Sequence, residues 1–315
     1  MLKLAEKHFC LICVAATLGG LFVPVIGRPF VPYLSVLLMG ILYLTCLKLD
    51  LARVASHLGR PARLVWMVLL VLVAVPFIEW GLAAVFVPGF ALGVLLLASM
   101  PSGMATASLI DVSGGDTELG LVMTTVTSLV CPVTVPLLMS LASPETIPPS
   151  EILRRVGMLA IYILAPGAAA VVTRRLLPKW VERNTHNFTG GAIVALGLLI
   201  VAAMSKCSEP ALADPLRSLG LLLFLSIAFT ALLSVIGYFA IPRARLRERK
   251  ALAVSTGYVN NALAIVFAAQ FYPDEPEVQL PAVILELPMV LAVAVVKRIG
   301  AKEEGEPPAE QESSG

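Results

Sequence analysis

Two short stretches of this sequence set small polar side chains inside otherwise apolar runs: PSGMATASLIDV, from Pro101 to Val112, and STGYVNNALAIV, from Ser255 to Val266. Their shared chemistry is that of hydroxyls and carboxamides, which coordinate small cations and hydrogen-bond anions while carrying no charge themselves. Superposed on Gly103 and Gly257, the stretches pair Ser102 with Thr256, Thr106 with Asn260, Ala107 with Asn261 and Leu109 with Leu263. Pro101 removes a backbone donor, and Gly103 and Gly257 tolerate non-helical dihedrals, so a helix is expected to break at each stretch. Met104, Thr106, Asn260 and Asn261, beside the breaks, are the candidate substrate-binding residues. A third feature is the hydroxyl stripe Thr124, Thr127, Ser128, Cys131 and Thr134, spaced to lie along one helical face. It serves close helix packing or lines a ligand path; Thr124, nearest the breaks, is the best placed for a ligand.

Titratable groups are scarce among these features. Glu286, in AVILELPMV, falls near the middle of an apolar run, where an ionisable side chain needs a partner or a proton. Glu79, in VPFIEWG, lies nearer the end of its run beside Trp80, which favours an interfacial or structural role. Asp111, Asp116 and Glu118 fall at a turn and read as solvated. His8, His57 and His186 are far apart, in expected loops, so no transition-metal site is legible. The C-x-x-C of Cys10 and Cys13 lies in an apolar run, where packing is the simpler reading than redox chemistry.

The elements that must position these residues are dictated by composition. The chain has 315 residues, 58% of them hydrophobic and 14% charged, with a mean hydropathy of +0.90. Soluble domains carry roughly 25% charged residues. Ten spans are expected: Phe9 to Gly27, Phe30 to Leu47, Pro61 to Phe86, Pro88 to Ser113, Thr117 to Ala142, Ile152 to Val172, Phe188 to Met204, Leu216 to Ile241, Ala251 to Tyr272 and Val278 to Val296. Residues 1–300 then form one all-α membrane domain. The segment 301–315, rich in Glu and Pro, reads as a disordered tail.

Ten spans put both termini on one side. That side holds all of the 23 Lys and Arg residues except Arg28, Arg154, Arg155, Lys206 and Arg217, so both termini are expected to be cytoplasmic, in a multi-pass protein of the cell (inner, cytoplasmic) membrane. Two sets of five spans have opposite sense, the arithmetic of an inverted repeat. The fourth and ninth spans, holding the two polar stretches, would break at matching places and cross.

At these residues the chain resembles the bile acid:sodium symporter family, as a divergent member, over essentially all ten spans. PSGMATAS followed by GLVMTTVTSLVCPVTVPLL resembles the family's Pro-Gly-Gly motif and Thr-rich fifth helix; GYVNNALAIVFAAQF resembles its ninth-helix crossing segment. The resemblance implies ten helices in two inverted five-helix repeats and movement of organic anions with sodium. It also implies ion-binding or coupling positions at Thr106, Thr124, Ser128 and Ser255. Several family ligands are replaced: Ala107 and Val259 stand where relatives keep amides, Ser255 where they keep an acid, Gly120 at a serine and Val71 at a glutamine. Sodium needs several hard oxygen ligands, so the two-sodium site is partly lost, and Glu286 is the candidate replacement for the missing acid.

The expectation is therefore a secondary transporter of a small organic anion, working by alternating access and coupled to sodium or protons. Its partners would be the lipid bilayer and the substrate, with no nucleic acid, no obligate protein partner and no cofactor beyond Na+ as the coupling ion. The alternatives are an efflux carrier or uniporter of the arsenite-exporter kind, and a non-transporting sensor on the same scaffold. An intramembrane enzyme using Asp116 and Glu286 fails because the two acids fall at different depths.

Overall fold

A computed structural model describes residues 9–48, 61–103, 106–143, 146–242 and 244–284. Met104, Glu286, His8, His57 and the segment 301–315 lie outside the described residues.

Helix α1 (Phe9–Phe22) leads through two short turns, Pro24–Gly27 and Arg28–Tyr33, into α2 (Leu34–Cys46). Helices α3 (Pro61–Leu69) and α4 (Val75–Phe86) form one span joined by a π-helical turn, Leu70–Ala74, which contains Val71. Then follow α5 (Ala91–Ala98), α6 (Thr106–Val112), α7 (Thr117–Ala142), α8 (Pro149–Leu176) and α9 (Pro178–Ala213). A π-helical stretch, Leu216–Leu221, opens α10 (Leu222–Phe239), and α11 (Leu246–Gly257), α12 (Asn261–Phe271) and α13 (Pro276–Ile284) complete the described chain. Among the described residues no strand forms, and the one extended pairing is an isolated bridge between Ser102 and Val259.

Six described helices are long and apolar enough to cross a membrane: Pro24–Cys46, Leu64–Phe86, Thr117–Ala142, Pro149–Leu176, Asn187–Ala213 and Leu222–Phe239. Leu11–Phe22, Pro88–Ala98 and Asn261–Phe271 are apolar but shorter. Large apolar side chains face outward along the long helices: Leu137, Leu153, Phe224 and Val235 are 44–71% exposed. Such a surface suits hydrocarbon rather than water.

The expected loop between the sixth and seventh spans is helix instead. Only Leu177 separates α8 from α9, and His186 lies within α9. The local reason is Pro178 at the first helical position, where its missing N–H costs nothing, after a non-helical Leu177 (φ −130°, ψ 52°). Nothing between Lys179 and Thr189 then breaks the helix.

Two layers of packing frame the centre. Helix α9 lies along α1 and α2, and α8 along α2 and α7. Elsewhere α4 and α13 pack on α5, and α10 on α11. The shared core is richest in α12, buried from Asn261 through Ala268 and again at Phe271.

Candidate functional site

Both expected helix breaks are present, and they meet. Between α5 and α6 the chain leaves helix at Pro101–Gly103; between α11 and α12 it does so at Tyr258–Asn260. The two unwound segments run antiparallel and exchange backbone hydrogen bonds: Gly103 N–H donates to Tyr258 O at 2.7 Å, and Asn260 N–H to Pro101 O at 2.8 Å. Unwound backbone inside a membrane must satisfy its polar groups within the protein, and each break satisfies the other. The Ser102 hydroxyl donates to Ser255 O at 2.7 Å, and Ser102 N–H donates to the Thr127 hydroxyl at 3.2 Å, which itself donates to Met123 O at 2.6 Å. A hydroxyl from α7 thus buttresses the crossing.

Gly103 is needed here for space rather than for an unusual dihedral. A Cβ at this position would lie 2.6 Å from two ring carbons of Tyr258 and 3.0 Å from Val259 O. Among the described residues the left-handed glycine is Gly114, φ +68°, in the turn before α7. At Gly257 a Cβ would collide with the Ser234 hydroxyl of α10.

Asn260 and Asn261 divide the work. Asn260 is the N-cap of α12: its side-chain oxygen accepts the Leu263 N–H at 3.2 Å, meeting one of the orphan donors at a helix start. Asn261 is buried at 3% exposure, and both ends of its carboxamide lack a hydrogen-bond partner. Buried carboxamides are rarely left so, because each unmade bond costs about 1–3 kcal/mol.

Two cavities adjoin the crossing. One, of about 610 Å³, is lined by Pro101, Ala107, Thr124, Thr125, Ser128, Asn260 and Leu263, and by apolar residues of α2, α7 and α8. The other, of about 170 Å³, is lined by Gly103, Tyr258, Asn260, Asn261 and residues of α2 and α9. Leu42, Thr45, Lys48 and Asn260 line both. The Lys48 ammonium donates to the Thr189 hydroxyl of α9 at 2.5 Å, which holds a positive charge at their shared wall. Thr124 and Thr125 each keep a buried hydroxyl without a partner.

The remaining expected residues fall as follows. Thr106 is fully buried and makes a marginal 3.5 Å contact to Tyr258 O. Ser255 is fully buried, its hydroxyl unpartnered while its carbonyl takes the Ser102 hydroxyl. Helices α6, α7 and α11, which carry Thr106, Thr124 and Ser255, pack against one another. Asp116 caps α7 by accepting the Leu119 N–H at 3.1 Å. Glu79, expected in an interfacial or structural role, is buried in the protein at 3% exposure, away from both cavities. Sequence reasoning did not single out Ser102, Thr127, Tyr258, Thr125, Thr45 or Lys48 as site residues. Thr127 was visible on the hydroxyl stripe and Ser102 in the paired motifs; the others carried no signal of their own.

At the end of the bundle away from Lys48, Arg155 of α8 is buried at 8% exposure. It donates to the Tyr272 hydroxyl at 2.9 Å and to Glu151 at 3.0 Å, and lies over the rings of Phe271 and Tyr272. Gln279 of α13 donates to Tyr272 O at 2.7 Å. This cluster ties α8 to the end of α12 and the start of α13.

A protein of Bacillus subtilis (strain 168) named as an uncharacterized sodium-dependent transporter, YocS, is 27% identical over 222 residues, covering 66% of this chain and 66% of that protein. The chain thus spans just under two thirds of that relative's length. The model of the sodium bile acid symporter family matches residues 35–211, which include the Pro101–Gly103 break and the hydroxyl face of α7. The match covers more than half of the chain, and the chain belongs to the sodium bile acid symporter family.

Proposed function

We propose that this protein is a secondary transporter, not an enzyme, which moves a small organic anion across the cell membrane by alternating access. The observation that carries the reading is the cavity of about 610 Å³ seated on two paired helix breaks. Its walls are mostly apolar, with hydroxyls near the crossing and Lys48 on the wall shared with the smaller cavity. Such a lining suits an amphipathic monoanion: an apolar body against α2, α7 and α8, and a polar head at Asn260, Thr124 and Ser128. One cation among the described wall residues does not suit a multiply charged substrate.

The antiparallel pairing of the breaks supports the inverted arrangement of two five-helix sets, with the termini in the cytoplasm. In that orientation the cavity faces the cytoplasm, and the Arg155 cluster closes the outside. The coupling ion is a cation. The family and the name of the Bacillus subtilis relative favour sodium. Thr106, Thr124 and Ser255 offer hydroxyl oxygens, fewer and weaker than sodium usually demands, so any site here takes a single ion or leaves coupling to a carboxyl such as Glu286.

The test is counterflow in proteoliposomes, preloaded with members of a panel of organic monocarboxylates that includes a bile acid, with sodium or choline as the cation. Accelerated uptake of labelled substrate into preloaded vesicles is expected for at least one member. Binding in a thermal-shift screen without any counterflow would instead fit a sensor built on the same scaffold. Sodium-independent, one-way efflux would fit the exporter reading.

A further inference from the structure

Glu79 is the buried acid that neither cavity uses. It projects from α4 into a small separate void of about 20 Å³, room for a single water. Val94, Leu97 and Ala98 of α5 form one wall, Ser226 and Thr230 of α10 another, and Gly257 and Val259 of the crossing a third. Among the described residues, none lining the void is ionisable apart from Glu79, so no described counter-charge lines the void with its carboxyl. Its Oε1 is buried without a hydrogen-bond partner. An ionised carboxylate here meets no charged partner among the described lining residues and has two hydroxyls at most to solvate it, whereas a protonated one needs no more than those hydroxyls. Sodium would find one carboxyl group and two hydroxyls, short of the several oxygens a hard cation takes.

Val259 places this void in communication with the ligand side. It lines both the Glu79 void and the 170 Å³ cavity that holds Asn261, and its residue pairs with Ser102 in the crossing. A ligand at Asn260 and Asn261 that moves the Val259 peptide therefore changes the wall against which the Glu79 carboxyl rests.

We propose that Glu79 is a proton-binding site on the back of the helix crossing, linked through Val259 to ligand occupancy on the front. It rests on the transporter reading and deepens it by adding a proton at this residue to whatever cation drives transport, and its spectroscopic test stands apart from transport. Linkage makes the effect reciprocal: a ligand that favours the protonated form binds more tightly when the proton is present.

The experiment is infrared difference spectroscopy of the full-length protein in lipid nanodiscs, wild type against Glu79→Gln, titrated from acid to alkaline pH. A carboxylic-acid C=O band that shifts in deuterated buffer is expected in the wild type and missing from Glu79→Gln. Glu286→Gln should retain it. A spectrum unchanged by Glu79→Gln, or a band lost only in Glu286→Gln, overturns the assignment. So does a wild-type band that vanishes when sodium chloride replaces choline chloride at constant pH, which makes the site a sodium site. In proteoliposomes, uptake driven by a pH gradient should fall at least tenfold in Glu79→Gln while counterflow persists; an unchanged pH profile sinks the coupling. Absence of counterflow in the wild type would count against transport and leave the infrared result standing.

Discussion

At Asn260 the side-chain oxygen caps α12, so Asn260→Ala removes a cap and is expected to cost about 0.5–2 kcal/mol, seen as a lower melting midpoint in detergent. Asn260→Asp keeps an acceptor and should recover most of that loss. Asn261 behaves oppositely, because its carboxamide is buried with neither end bonded. Asn261→Leu removes an unsatisfied group of similar size; the midpoint should hold or rise, while any thermal shift produced by a bound organic anion disappears. A normal ligand shift in Asn261→Leu would mean that the amide is spent elsewhere. The sequence made the two neighbours look equivalent. Which one caps and which one waits depends on where the break falls, and that is set by the Pro101 carbonyl taking the Asn260 N–H.

At the scale of elements, α7 presents hydroxyls in two directions. Thr127 points at the crossing and supports Ser102, whereas Thr124, Thr125 and Ser128 line the large cavity. Thr127→Val should therefore strand the buried Ser102 N–H and destabilise the protein by about 1–3 kcal/mol. Thr124→Val strands nothing and should leave stability nearly unchanged while altering ion or substrate dependence. Equal losses of stability in both variants would contradict this division. Gly103→Ala probes the crossing itself: its methyl meets the Tyr258 ring, an overpacking cost of about 1–3 kcal/mol. Tyr258→Ala in the same chain should recover part of that cost, so the two effects on the midpoint should not add. The stripe was legible from helical spacing. Its split into a structural face and a cavity face was not, because a 3.6-residue period says which residues share a side but not what that side meets.

For the whole molecule, the Arg155 cluster and the large cavity lie toward opposite ends of the bundle, as the proposed alternating access would require of a state open to one side. Tyr272→Phe removes a buried hydrogen bond to a guanidinium, worth about 1.5–3 kcal/mol, and under the proposed orientation it weakens closure of the outer end. The reactivity of a cysteine placed at Leu263, on the cavity wall, toward an impermeant thiol reagent applied from outside should rise about tenfold or more. No rise would mean that the cluster is not the closure. Composition and apolar run length by themselves determined that this is a helical membrane protein, since backbone polar groups in hydrocarbon leave few other solutions. Proline and glycine inside apolar runs marked where two helices break. Only the tertiary structure decided that the breaks bond to each other, that Asn261 and not Asn260 is left unpaired, that Lys48 reaches both cavities, and that Glu79 is sealed behind the crossing. Those facts depend on contacts between residues as far apart as Ser102 and Val259, and a side chain's partners at such separations are fixed by packing, about which local sequence carries no information.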